Sequence, residues 1–230
     1  MYPQLPLQIS LSDTATFNNY LPGENLAAVE TLKHSRADDS GPCVYLWGPP
    51  GCGKSHLLQS LCHDYAARGE SALYLPLGRY QEYSADILEG LDAMDAVCLD
   101  DIHAICGLTE WETAIFHLYN RINDASGRLL VAANAAPAGL GMSLADLASR
   151  LSSAVVFHLR QLADEDRQQA LRLRAGARGI HMPEEVAAYL LKRCPRDMQS
   201  LFDLLDRLDV ASLSAQRKLT IPFVRELIND

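Results

Sequence analysis

Eight residues constrain this chain more than any others: Gly48, Pro49, Pro50, Gly51, Cys52, Gly53, Lys54 and Ser55, a run of the form G-x-x-x-x-G-K-S. An apolar pentapeptide, Cys43-Val44-Tyr45-Leu46-Trp47, precedes the run, and a helical pattern begins at Lys54. A strand passing through a glycine-rich loop into a helix is the context in which backbone N–H groups converge on phosphate oxygens. The helix N-terminus adds its positive dipole end, Lys54 a point charge and Ser55 a hydroxyl for Mg²⁺; His56 follows directly and is grouped with the loop. The four fixed positions arise by chance in about one chain in a hundred of this length. The flanking strand and helix lower that further, so a nucleotide is the expected ligand.

The remainder of the chain suits that loop. From residue 43, short apolar runs alternate with helical patterns: strands at 43–47, 72–76, 96–100, 128–133 and 154–159, and helices at 54–68, 84–93, 110–125 and 143–150. Continuous apolar runs fit strands buried on both faces of a parallel sheet, and the alternation predicts an α/β core with five parallel strands. A helix from Glu24 to Lys33, with Leu26, Val29 and Leu32 on one side, precedes the core. After Leu162 only helical patterns remain, with Pro183, Pro195 and Pro222 near their starts. Three parts are therefore expected: a flexible tail at 1–12, a nucleotide-binding α/β domain at 13–162 and a small all-α lid domain at 163–230.

Composition narrows the class. Apolar content of 48% and charged content of 21% are those of a globular protein. The longest apolar runs are too short for a membrane span, and a cytoplasmic address is expected. Six cysteines without a C-x-x-C pair fit reduced thiols better than a disulfide framework. His103 and Cys106 as metal ligands are less expected than as ordinary loop residues. The net charge of −9 argues against a protein that grips DNA backbone by itself, because such binding is driven by counterion release from a basic surface.

Five further residues carry chemistry. The strand Ala96-Val97-Cys98-Leu99 ends in Asp100-Asp101. An acid at the C-terminal end of such a strand holds Mg²⁺ through water, and Asp101 beside it would polarise an attacking water. Asn134 ends strand 128–133, where an amide would orient a water or meet a γ-phosphate; asparagine also ends strands for turn reasons alone. Arg150 lies on a short helix before the last strand, and Arg196 follows Pro195 in the helical part. Either is by default a solvated charge. In a two-part nucleotide protein, a lid arginine can clamp phosphate in the same chain, and one on the opposite rim can reach a neighbour's nucleotide as a finger.

Assembled, these residues resemble the AAA+ ATPases, and within them the DnaA-related group, along nearly the whole chain. Phe17-Asn18-Asn19-Tyr20 to Asn25 resembles that group's N-terminal box, which flanks the adenine. Asp100-Asp101 matches its use of Asp-Asp, and Asp146 to Leu151 resembles the segment carrying an arginine finger, at Arg150. Ala163-Asp164-Glu165-Asp166 resembles the opening of its lid. The stretch from Ser214 to Val224 is most specifically similar to a regulatory branch of the group.

The resemblance implies bound adenine nucleotide, with ADP favoured over ATP, and Mg²⁺. It implies a negative regulator of replication initiation that packs head-to-tail on DnaA and stimulates hydrolysis of DnaA-bound ATP through Arg150. Weak ATPase activity of its own follows. Gln4-Leu5-Pro6-Leu7 resembles a motif for docking on the DNA polymerase III β sliding clamp, which would associate the protein with the nucleoid. An extended, proline-stiffened segment of this kind costs little ordering entropy, and Leu5 and Leu7 would enter an apolar groove while Gln4 hydrogen-bonds. A homo-oligomer is also compatible, and sequence-specific DNA binding is not expected. The alternatives are an autonomous ATPase or helicase-loader-like protein, and a DNA-binding initiator homologue.

Overall fold

The computed structural model describes residues 11, 15–34, 43–194, 198–215 and 217–229. Five strands, β1 (Cys43–Trp47), β2 (Ala72–Pro76), β3 (Ala96–Asp100), β4 (Arg128–Ala133) and β5 (Val155–His158), form one sheet in the order β2-β3-β4-β1-β5. Every pairing is parallel. The loop strand β1 therefore lies inside the sheet, between β4 and β5.

Period-two alternation sends successive side chains to opposite faces. Cys43 and Tyr45 join one core with Val97, Leu99, Leu129 and Val131. Against these pack helices α3 (Thr109–Asp124) and α4 (Ala145–Ser152), through Ile115, Leu118, Ile122, Leu147 and Leu151. Val44 and Leu46 face the other way, with Cys98, Leu130 and Ala132. There they meet α1 (Leu26–Lys33) and α2 (Lys54–Ala67) through Val29, Leu32, Leu57, Leu58 and Leu61. β5 is an edge strand, and its Val156 stays 39% exposed.

Four helices complete the chain: α5 (Asp164–Ala177), α6 (Glu184–Arg193), α7 (Met198–Ala215) and α8 (Ile221–Asn229). Leu171, Val186, Leu190, Leu201, Leu205, Phe223 and Val224 form their own core. Leu21 and Leu162, from outside the four helices, pack against it. The architecture is thus a five-stranded parallel α/β core followed by a small helical bundle.

Two expectations need correction. The helix expected at 84–93 is two short 3₁₀ turns, Ala85–Leu88 and Leu91–Ala93. Gly90 between them has φ +75°, a left-handed conformation that breaks any helix, and the Ser84 hydroxyl accepts the Asp86 N–H to start the first turn. The helix expected from Glu24 starts at Leu26, after a 3₁₀ turn at Gly23–Asn25. Leu26 consequently stands 55% exposed in the first turn, and Ala28 joins Val29 and Leu32 inside instead. Pro183 is the extended residue just before α6, and its carbonyl accepts the N–H groups of Val186 and Ala187. Other element ends shift by one or two residues. All six cysteines are free thiols.

Candidate nucleotide site

Residues 48–53 connect the end of β1 to the start of α2. Gly53 has φ +93°, and a Cβ there would lie 2.5 Å from Cε2 of Tyr20. At Gly48 a Cβ would stand 2.4 Å from the carbonyl oxygen of Leu159. The loop thus follows its path because those side chains are missing. Lys54 is 9% exposed, and its Nζ donates to the carbonyls of Gly48 at 2.9 Å and Pro49 at 3.2 Å. Cys52 Sγ lies 3.8 Å from the same ammonium, and burial pushes that thiol's pKa up.

Tyr20 roofs the loop. Burial raises its pKa to about 12, so the hydroxyl stays protonated and donates to the Cys52 carbonyl at 3.1 Å. Asn25 Nδ2 donates to that hydroxyl at 3.4 Å. The His56 ring is 5.4 Å from the Tyr20 ring, and its Nε2 meets the Thr16 carbonyl at 3.0 Å. A carbonyl only accepts, so Nε2 carries the proton. Burial also lowers the pKa of His56, which favours the neutral imidazole.

A cleft opens between this loop and the lid, lined by Tyr20, Gly51, His56, Leu162, Arg174 and Phe202 among others. Arg174 of α5 lies 4.1 Å over the Phe202 ring of α7. The start of α7 abuts the loop: a Cβ on Gly51 would be 3.8 Å from the Met198 nitrogen. Gln161 Nε2 donates to the Pro50 carbonyl at 2.7 Å, and Arg167 donates to the Gln161 Oε1 at 3.4 Å. Aromatic and aliphatic walls with the Arg174 guanidinium and the His56 imidazole suit a planar, partly polar base. Phe17 packs against the α1–α2 core, as Tyr20 also does, and Asn19 and Leu21 join Tyr20 in the cleft lining.

Asp100 ends β3 and is 2% exposed. Its Oδ2 accepts the Tyr74 hydroxyl at 2.7 Å and its Oδ1 accepts the Asp101 N–H at 2.9 Å. Tyr74 also interacts with the side chains of Ser55 and Gln59. The Ser55 hydroxyl and the Asp100 carboxylate are therefore held around one tyrosine. Two hard oxygen groups of this kind fit Mg²⁺, which keeps several waters and takes few protein ligands. Asp101 adopts φ +55°, and its carboxyl pKa is raised by burial and by the Asp100 charge.

The remaining expected residues lie elsewhere. Asn134 is exposed just after Ala133, whose register partner is Trp47 at the mouth of the loop. Arg150 is exposed on α4, with its guanidinium 5.7 Å from the Tyr119 ring centre on α3. Gln4, Leu5, Leu7 and Arg196 fall outside the described residues. Three residues escaped the sequence reading. Tyr74 looks like one more residue of an apolar strand, and Arg174 like one of several lid arginines. Glu112 looks like a solvated first-turn acid of α3. It is 0% exposed, and its carboxylate accepts the N–H groups of Gly107, Ser143 and Leu144 at 2.7, 3.1 and 2.6 Å.

Comparison with known proteins decides the family. The model of the bacterial DnaA ATPase domain matches residues 11–158, and that of the Hda lid domain matches residues 164–228. The chain belongs to the DnaA-related AAA+ family. A Haemophilus influenzae protein described only as uncharacterized is 43% identical over 231 residues, covering 100% of both chains. Domain III of the Thermotoga maritima replication initiation protein DnaA superposes with a TM-score of 0.81 at 21% identity, covering 96% of this chain and 98% of that one. The AMPPCP-bound DnaA from Aquifex aeolicus gives 0.72 at 20% identity, with 87% of this chain and 67% of that chain covered. Thermotoga maritima RuvB gives 0.71 at 14% identity, with 94% and 71% covered. The last three share the fold. No helix of the described residues is long and apolar enough to cross a membrane.

Proposed function

We propose that this DnaA-related protein holds an adenine nucleotide, with ADP favoured, and acts on DnaA as a negative regulator of replication initiation. Residues 13–162 form the nucleotide module and 163–230 the lid. The loop from Gly48 to Ser55 cradles the phosphates, with Lys54 in support; Ser55 and Asp100 serve Mg²⁺. Tyr20, His56 and the lid face the base, and Arg196 clamps from the lid. The 1–12 tail, through Gln4, Leu5 and Leu7, docks on the DNA polymerase III β sliding clamp. Arg150 then enters the nucleotide site of DnaA and stabilises charge developing on the γ-phosphate. Asp101 and Asn134 have lesser, own-site roles, and hydrolysis by the isolated protein is weak.

The observation that carries this reading is the separation of Arg150 from the chain's own loop. α2, with the loop at its start, packs on one face of the sheet, whereas α4 and its exposed Arg150 pack on the other. A head-to-tail contact, in which one subunit's rim meets the next one's site, uses such a division. The AMPPCP bound by the Aquifex aeolicus DnaA supports an adenine nucleotide here.

The test combines this protein, DNA-loaded clamp and DnaA carrying radiolabelled ATP. Faster hydrolysis than with DnaA alone is expected, lost on Arg150→Ala and reduced on deletion of residues 1–12. Hydrolysis at the DnaA-alone rate would sink the regulatory reading. High turnover by the isolated protein, lost on Lys54→Ala, would favour an autonomous ATPase.

A further inference from the structure

Tyr74 stands on β2, and in the β2–β3 register its partner is Cys98, two residues before Asp100. The long phenol spans that offset and places its oxygen 2.7 Å from Asp100 Oδ2. An ionised carboxylate only accepts, so Tyr74 donates this bond. The side chains of Ser55 and Gln59 stand near the same phenol. Burial and the Asp100 charge push the Tyr74 pKa up, so the phenol remains a donor at neutral pH.

The direction of this proton has a chemical result. With one oxygen held by Tyr74 and the other by the Asp101 N–H, the Asp100 carboxylate is fixed in rotation. We infer that Tyr74 is a positioning residue that holds Asp100 as an oriented acceptor for the nucleotide-associated Mg²⁺. The inference rests on the nucleotide reading of the loop. It assigns Tyr74 a task that strand packing alone would not require, since phenylalanine would fill the same space.

The experiment titrates the full chain with a fluorescent N-methylanthraniloyl-ADP in EDTA and at increasing Mg²⁺, comparing wild type, Tyr74→Phe, Ser55→Ala and the double variant. Wild type is expected to bind more tightly with Mg²⁺. Tyr74→Phe should lose about tenfold of that Mg²⁺-dependent gain while keeping its affinity in EDTA, as expected for loss of one hydrogen bond to a charged group. On the Ser55→Ala background the same change should cost little more. An unchanged Mg²⁺ gain in Tyr74→Phe overturns the inference. So does an equal loss with and without Mg²⁺, which would make the tyrosine a support of the loop alone, and so does full additivity in the double variant. If wild type binds no nucleotide, the reading of the loop itself fails.

Discussion

Asn25 holds both backbone polar groups of Arg160: its Oδ1 accepts the N–H at 2.7 Å, and its Nδ2 donates to the carbonyl at 2.9 Å. The clasp fixes the N-terminal segment to the junction between β5 and the lid, 135 residues away in sequence. It also supports Tyr20, which receives a weaker bond from the same amide. Asn25→Ala should lower stability by about 2 kcal/mol, because the residue is buried and two polar partners lose their bonds. For a chain of this size that is a fall in Tm of about 4–8 °C. Calorimetry with and without ADP checks it, and the ADP-induced rise should shrink as well.

Gly53→Ala should remove nucleotide binding more than it removes the fold. The new methyl would meet the Tyr20 ring at 2.5 Å, and φ +93° is costly for any side chain. The ring must move, and with it the roof of the site. An affinity loss of more than tenfold is expected by isothermal titration. Tyr20→Ala on the same background should relieve the clash but not the backbone strain, so Tm should recover only in part.

Asp101 makes stability depend on pH. Its carboxyl is raised in the fold by burial and by Asp100, so the folded chain holds this proton more tightly than the unfolded one. Stability therefore falls as pH rises from the unfolded value, near 3.9, through the raised folded value, and the cost is complete above it. Asp101→Asn removes that cost and suits φ +55°. The side chain is 43% exposed, so solvent screening keeps the gain below about 1 kcal/mol. Melting curves from pH 4 to 8 should show the variant above wild type at neutral pH and the gap closing toward pH 4.

Glu112→Ala leaves three backbone donors without their acceptor, at a site with no exposure. A loss of about 3 kcal/mol or more is expected. Hydrogen exchange should locate it: the Gly107, Ser143 and Leu144 amides should lose protection, while those of α2 change only through the global stability. The same carboxylate joins the turn after Asp101 to the entry of α4, so Arg150 should also become more mobile.

The layered core was legible because strand burial is written in local composition: β1 and β3 read as apolar runs with the ends that the structure has. The DnaA-related family was legible for a different reason, since the loop, the acidic strand end and the Ser214–Val224 stretch are local words. What failed depended on backbone conformation or on distant partners. The 84–93 segment has enough apolar residues for a helix, and only the left-handed Gly90 shows that it is not one. Tyr74 acquires its meaning from the β2–β3 register, which no local pattern specifies. Arg174 and Phe202 matter because the lid folds over the loop, and Glu112 because a loop 31 residues further on returns to it.

Arg150 rests against the Tyr119 ring, and among the described residues it forms no ion pair. A solvent-exposed cation over an aromatic ring is held by only about 0.5–1 kcal/mol. Detaching it therefore costs an approaching surface no more than about a fivefold loss in affinity. A carboxylate partner would have set a steeper, salt-dependent threshold for every encounter. The ring gives the arginine a direction and leaves its charge unspent, so association should be governed by how well the two surfaces fit.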